Sequence, residues 1–459
     1  MALLEQDHAF EIADALIAAS EGDGTEVSLH SVEEKFVRFC ADGPTQSADR
    51  ERYSVRIRVR QAVPLSLGGG YREASASAGD LHEASLFSAL DRATALAAMA
   101  SVDRDAEPLG GACDITPRSP SRPTQDHSTR EKGAWIRAAL DASDDAGLDG
   151  AGLAHSKVES LGLVNSSGRR VFSAASRASF QLSCVERCDE AEAVGGASSA
   201  MSAAPFTDQV DPEGVIADAV DAAVQSRGPE PIDPQAIDVV LAPAAVAALL
   251  TFASRAGFGA REYEEGSSFL SGRVGERLFD PRVSICDDVH DPRLRGLGFD
   301  GEGEPRVRTP LVEEGVVRGP VTDRRFARKL GLSNTGHGGP QPTCLGPCAD
   351  ALVIEPGERS IDDLCADVGD GLYVRQLHYV NLIEPRGLVL TGMTRGGTFR
   401  IEGGELGAPV RNLRFTHSLV AALEDVIGVG DTAIRQGSLM GGDMVVPAIA
   451  LRGFRFTSA

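Results

Sequence analysis

Residues 52–63, RYSVRIRVRQAV, alternate with a period of two: Tyr53, Val55, Ile57 and Val59 on one side, Ser54, Arg56, Arg58 and Arg60 on the other. Successive side chains of a strand point to opposite faces. The stretch therefore predicts a strand with one buried face and one that is wet or covered by acidic groups. Strands of parallel sheets, buried on both faces, show continuous apolar runs instead. The alternation thus favours an antiparallel sheet.

Around this strand the elements are short and mixed. Residues 6–19 fit an amphipathic helix with Phe10, Ala13, Leu16 and Ile17 on one face. Residues 25–31 and 35–40 alternate as two short strands. Residues 81–100 place Leu86, Leu90, Ala93 and Leu96 at helical spacing, and residues 127–146 predict a helix burying Trp135 and Leu140. Between them, residues 102–126 hold prolines and glycines without a period, a long loop. Residues 161–184 predict a hairpin turning at 166–168, followed by a flexible loop of small residues over 186–206 and a helix over 212–225. GPEPIDPQ (228–235) continues neither helix nor strand and marks a boundary between domains 1–227 and 236–459.

The second half is rich in strands. LVEEGVVRG (311–319) and FRIEGGELG (399–407) share an acid–x–Gly pattern between apolar residues, the mark of a hairpin whose glycine supplies a positive φ. Short helices are expected at 323–330, 361–368 and 418–426. Helices separate these strands too seldom for a doubly wound sheet. The fold expected is α/β (α+β): two domains with mainly antiparallel sheets flanked by helices.

The net charge of −22 excludes the basic footprint of a nucleic-acid binder. The longest nearly apolar run, 239–253, is broken by Pro243 and is shorter than the roughly 18 residues of a membrane span. The first residues carry acids and lack the basic start of a signal peptide. A cytoplasmic protein is expected, with its eight cysteines as free thiols.

Several motifs bear on chemistry. GLGFDG (296–301) matches G-x-G-x-x-G, but a proline-bearing strand follows it where a dinucleotide site needs a helix. GVGDTA (428–433) fails for a related reason, because a helix precedes it. CVERC (184–188) and CLGPC (344–348) lack the further ligands that would complete a zinc site. CDDVHD (286–291) gathers Asp287, Asp288, His290 and Asp291; the choice lies between a metal site and a solvated acidic turn. TGHGG (335–339) sets His337 in an unobstructed loop fit to line a cleft. His378 falls on a strand or its edge. Arg395, in LTGMTRGGT, is a lone cation in a glycine-rich turn, placed to meet a peptide carboxylate. The run LLTFASRAGFG (249–259) follows a strand and offers Thr, Ser and Arg, but no His, Asp, Glu or Cys.

An ordered series of segments resembles the TldD/TldE (PmbA) family. It comprises EGSSFLSGRVGERLFDPRVSICDDV (265–289), residues 299–331, TGHGG (335–339), GLYVRQLHYVN (371–381), residues 390–415 and VVPAIALRGFRF (445–456). The first half fits more loosely. The resemblance implies that metal-bearing members carry H-E-x-x-x-H, two His zinc ligands and a Glu base, on a helix after a strand, with a further cysteine near the C-terminus. At those positions this chain has Thr251, Phe252 and Ala256, and GSLMGGDMV (437–445) holds no cysteine. The resemblance is therefore to TldE, the metal-free partner. It implies no cofactor in this chain, zinc in a TldD-like H-E-x-x-x-H subunit of a heterodimer, and hydrolysis of small, unfolded or modified peptides in a shared cleft lined by His337, Arg395 and His378. Residues five apart on an ideal helix point about 140° away from each other. A metal-binding helix of that pattern must be distorted, and without metal Thr251–Arg255 is expected to be plain helix. The alternatives are a homodimeric binding or scaffold protein, and a zinc-free enzyme of a specialised pathway.

Overall fold

The arginine strand lies within a seven-stranded antiparallel sheet, as the computed structural model shows. The structure describes residues 3–187, 196–343, 345–437 and 442–458. In chain order the strands are β1 (Gly24–Cys40), β2 (Gly43–Ala62), β3 (Tyr71–Ala78), β4 (Val102–Asp103), β5 (Leu148–Asn165), β6 (Arg170–Glu186) and β7 (Ala197–Ala204). Their spatial order is β4-β3-β2-β1-β5-β6-β7. Val27 pairs with Ile57 and with Val164, which fixes one apolar face. Helices Gln6–Ala19 and Glu83–Met99 cover one end of that face, packing on Val27, Leu29, Val55 and Ile57. Helices Thr129–Asp145 and Pro212–Gln225 cover the other end, packing on Val37, Phe39 and Phe180.

Two expectations change here. Residues 25–31 and 35–40 form one 17-residue strand, because Val32, Glu33 and Glu34 between them are paired on both sides, to β2 and to β5. The ladder satisfies their backbone whatever their side chains prefer. Residues 197–204, expected as flexible loop, are edge strand β7 along β6; Glu186 ends β6, and residues 188–195 of that stretch lie outside the described residues.

The other face of the sheet carries the arginines, and acids cover them. Arg58 donates to Glu26 (3.3 Å) and Glu73 (2.8 Å), and Arg60 donates to Glu73 (2.7 Å). All three side chains of the Arg58–Glu73–Arg60 chain are buried. Arg56 reaches the carbonyl of Gln341 at 3.1 Å, so this face looks toward the C-terminal half. The long segment after β4 straps the halves together. Arg325 pairs with Asp103, Arg328 pairs with Glu107 (2.5 Å), and Arg118 donates to the carbonyl of Gly296 (2.5 Å).

In the C-terminal half, five strands close into a ring. Ala236–Leu241 pairs with Gly371–Glu384 in parallel and with Ile449–Ser458 in antiparallel fashion. Arg414–Ser418 and Val389–Glu402 complete the circle back to Gly371–Glu384. Beside it lies a six-stranded sheet that includes Ile285–Asp287, Thr309–Glu313, Leu352–Ile354 and Asp443–Val446. Both anticipated hairpins form on two-residue turns with positive φ, Glu314–Gly315 (46° and 78°) and Gly403–Gly404 (61° and 89°). Helix Pro243–Phe252 enters from strand Ala236–Leu241, with Val246, Leu249 and Leu250 in the large apolar core.

Candidate functional site

The helix that begins at Pro243 does not continue as a plain α-helix, contrary to expectation. From Ala253 to Gly257 it is a π-helical turn, in which the Phe258 N–H donates to the Ala253 carbonyl at 2.9 Å. Such turns are rare and concentrate at functional sites. Tertiary contacts hold the distortion. The Ser254 carbonyl instead accepts the N–H of Ala349 at 3.1 Å. A Cβ at Gly257 would lie 2.7 Å from Cε1 of Phe269, so that ring packs directly on the backbone. The Ser268 hydroxyl donates to the Gly257 carbonyl, and Arg255 Nη1 donates to the Leu345 carbonyl at 2.8 Å.

The three motif positions do not fit a metal. Buried Thr251 donates its hydroxyl to the Ala247 carbonyl at 3.0 Å, and Phe252 and Ala256 pack against the core. Phenyl and methyl groups neither ligate zinc nor move protons. Among the described residues, no group of three or more His, Cys, Asp or Glu is arranged to hold a metal ion.

Beyond the turn lies a cavity of about 640 Å³ between the charged face of the N-terminal sheet and the C-terminal loops. Lys157 and Glu159 of β5 and Arg177 of β6 form one wall; Arg255, Asp300 and His337 stand on the other. The sheet places its three because alternate residues share a face: Lys157 pairs across with Arg177, and Glu159 with Ala175.

The opposite wall is built around buried charge. Asp287 is 1% exposed and takes Arg306 Nη2 at 2.7 Å and the Ala351 N–H at 2.8 Å. His337 Nε2 lies 2.9 Å from the same carboxylate, off the line of a good hydrogen bond, while its Nδ1 meets the Thr335 hydroxyl at 2.9 Å. Burial acts to raise the Asp287 carboxyl, but Arg306 and His337 outweigh it and hold it well below the usual carboxylate range. Arg306 also reaches Asp350 at 2.7 Å, so one guanidinium bridges a buried carboxylate and a half-exposed one.

Next to this network the two glycine-rich segments interlock. The Gly301 N–H donates to the Gly338 carbonyl (2.7 Å), and the Gly338 N–H donates to Asp300 (2.6 Å). A Cβ at Gly301 would lie 2.3 Å from the Pro340 nitrogen. Gly301 is required where the two segments touch backbone to backbone. Asp300 and Glu302 are both buried, and burial pushes both carboxyls up. Asp300 accepts three backbone N–H bonds, from Glu302, Glu304 and Gly338, which favour its charged form and offset part of that rise. Glu302 is pushed up to about 8 by burial and by the charges of Asp300 and Asp323.

The anticipated site residues fall in two places. His337 lines the cavity but is almost completely covered. His378 and Arg395 meet each other, Nε2 to Nη1 at 3.1 Å, on an exposed part of the barrel hairpin outside that cavity lining. The acids of CDDVHD also part company: Asp287 goes to Arg306, Asp288 to the His290 N–H (2.8 Å) and Asp291 to Arg293 (2.7 Å). Each C-x₃-C pair has one cysteine, 188 or 344, outside the described residues. Arg255, Arg306 and Asp300 were missed, since no local spacing marks them.

The family profile described as "PmbA/TldA metallopeptidase C-terminal domain" matches residues 234–458. The C-terminal part of the chain, residues 234–458, belongs to the TldD/PmbA family. A curated protein named "Metalloprotease" from Methanothermobacter thermautotrophicus is 31% identical over 173 residues, 36% of each chain. The chain thus spans about a third of the length of the first curated relatives it matches. "Metalloprotease PmbA homolog" from Haemophilus influenzae is 23% identical across 96% of this chain and 92% of its own. In fold, the chain is similar to the crystal structure of TldE from Thermococcus kodakarensis, with a TM-score of 0.86 at 20% identity over 97% of this chain and all of the other. A protein from Thermotoga maritima titled a putative modulator of a DNA gyrase aligns with a TM-score of 0.83 at 18% identity, over 98% of this chain and all of its own. No helix among the described residues is long and apolar enough to cross a membrane.

Proposed function

We propose that this chain is the metal-free, TldE-like subunit of a two-chain peptidase whose zinc resides in a TldD-like partner carrying H-E-x-x-x-H. One observation carries the reading: the distorted helix end is kept, while Thr251, Phe252 and Ala256 occupy the places of two ligands and a base. The chain retains the architecture around a metal helix and none of its chemistry. Its contribution is to shape the cleft in which an extended peptide is held, by backbone hydrogen bonds and with little sequence selectivity. His378 and Arg395 are assigned to peptide contact on this reading, in the cytoplasm; His337, whose side chain is covered, stands behind the cleft wall against Asp287.

Co-expression with an H-E-x-x-x-H chain of the same genome tests it. The expected result is a co-purifying pair that contains zinc and hydrolyses unfolded peptides, and a lone chain that does neither. A lone chain that hydrolyses peptide in a zinc-dependent way would overturn the proposal. So would a chain that forms only dimers of itself in the presence of the partner.

A further inference from the structure

The charges lining the cavity do not balance locally. Each lining carboxylate is already engaged. Asp443 takes Arg177 (2.7 Å) and Arg435 (2.6 Å), and Asp350 takes Arg306 (2.7 Å). Glu159 takes Lys157 (2.8 Å) and His30 (2.9 Å), and Asp300 is enclosed by three backbone amides. Two lining cations remain. Arg255, on the π-helical turn, spends one donor on the Leu345 carbonyl, and Arg295 lies 4.9 Å over the Phe206 ring; both are exposed. Neither has a carboxylate at ion-pair distance among the described residues. Arg295 also holds a left-handed backbone (φ 46°), a conformation that long side chains rarely adopt and that clusters at functional sites. Buried Arg306, on the same lining, leaves its Nε without a partner.

In a chain of net charge −22, two guanidinium groups without an ion-pair partner facing one cavity form a local positive field, which Glu262 near Arg255 only partly offsets. Guanidinium forks match carboxylates in geometry and form strong charge-assisted bonds with them. The volume, about 640 Å³, lies within the range of small-ligand pockets. We propose that this cavity binds the carboxylate of a short peptide, from its chain end or an acidic side chain, through Arg255 and Arg295. The inference rests on the peptide-processing reading above and adds to it a chemical preference and a place.

Titration calorimetry on the full chain alone tests it. The probes are an unlabelled oligo-alanine with a free C-terminal carboxylate, its C-terminal amide, and the amide carrying one internal glutamate. The free acid or the glutamate peptide is expected to bind at least about tenfold more tightly than the plain amide, and the arm that does so identifies the source of the carboxylate. Arg255→Met and Arg295→Met should each reduce that preference, and the double variant should abolish it, with the melting temperature unchanged. Equal binding of all three probes, no binding of any probe, or a preference that survives the double variant overturns the proposal. Failure of peptide cleavage by the reconstituted pair, with this preference intact, would instead strike the proposed function.

Discussion

The two walls of the cavity are held by different physics. On the sheet wall, Lys157, Glu159 and Arg177 stand where strand alternation puts them, and their ion pairs are partly open to solvent. On the loop wall, Asp287, Arg306, Asp300 and Glu302 are buried; Asp287 ends strand Ile285–Asp287, and the segment that carries the other three has almost no regular structure. Backbone ladders hold the first wall whatever its side chains do. The second depends on charges satisfying one another out of water, where leaving one unpaired is costly.

The sharpest way to break this contrast is Arg306→Met. It leaves Asp287 buried with only His337 and the Ala351 amide beside it. The expected loss is about 3–5 kcal/mol in denaturant unfolding. Lys157→Met on the sheet wall serves as its control and should cost less than about 1 kcal/mol. Equal losses would erase the distinction.

Gly257→Ala probes what keeps the π-helical turn. The new methyl would meet the Phe269 ring at 2.7 Å, an overpacking worth about 1–3 kcal/mol. A variant of unchanged stability would show that the ring does not hold the turn.

Glu302→Gln gives the smallest effect and the most specific one. Its folded carboxyl is raised above its unfolded value, so its contribution is greatest below about pH 4.5 and declines as the pH rises toward about 8. The glutamine variant should match the parent near pH 4 and exceed it, on the order of 1 kcal/mol, at pH 8. Parallel stability curves across that window would place the proton elsewhere.

Regular elements were legible wherever periodicity spoke. The alternation of 52–63 announced β2 and its antiparallel sheet, and helices Gln6–Ala19, Pro212–Gln225 and Ile361–Val368 coincide with their expected spans. Residues 32–34 misled because pairing on both sides overrode a break in the pattern, and β7 because small residues resemble a loop until a neighbouring strand claims them. Of the candidate site, His337 was visible through its glycines, but its partners were not. Asp287, Arg306 and Asp350 are distant in sequence and meet only when the end of strand Ile285–Asp287 and two loops fold together.

The sequence by itself determined the family, the antiparallel character, and the loss of His and Glu from positions 251, 252 and 256, because each is a matter of residue identity or local period. Only the tertiary structure decided that the helix end stays distorted. A helix left to itself would close its i→i+4 bonds through Thr251–Arg255. Here the Ala349 amide, the Phe269 ring and the Ser268 hydroxyl, all from other segments, hold the wider turn open.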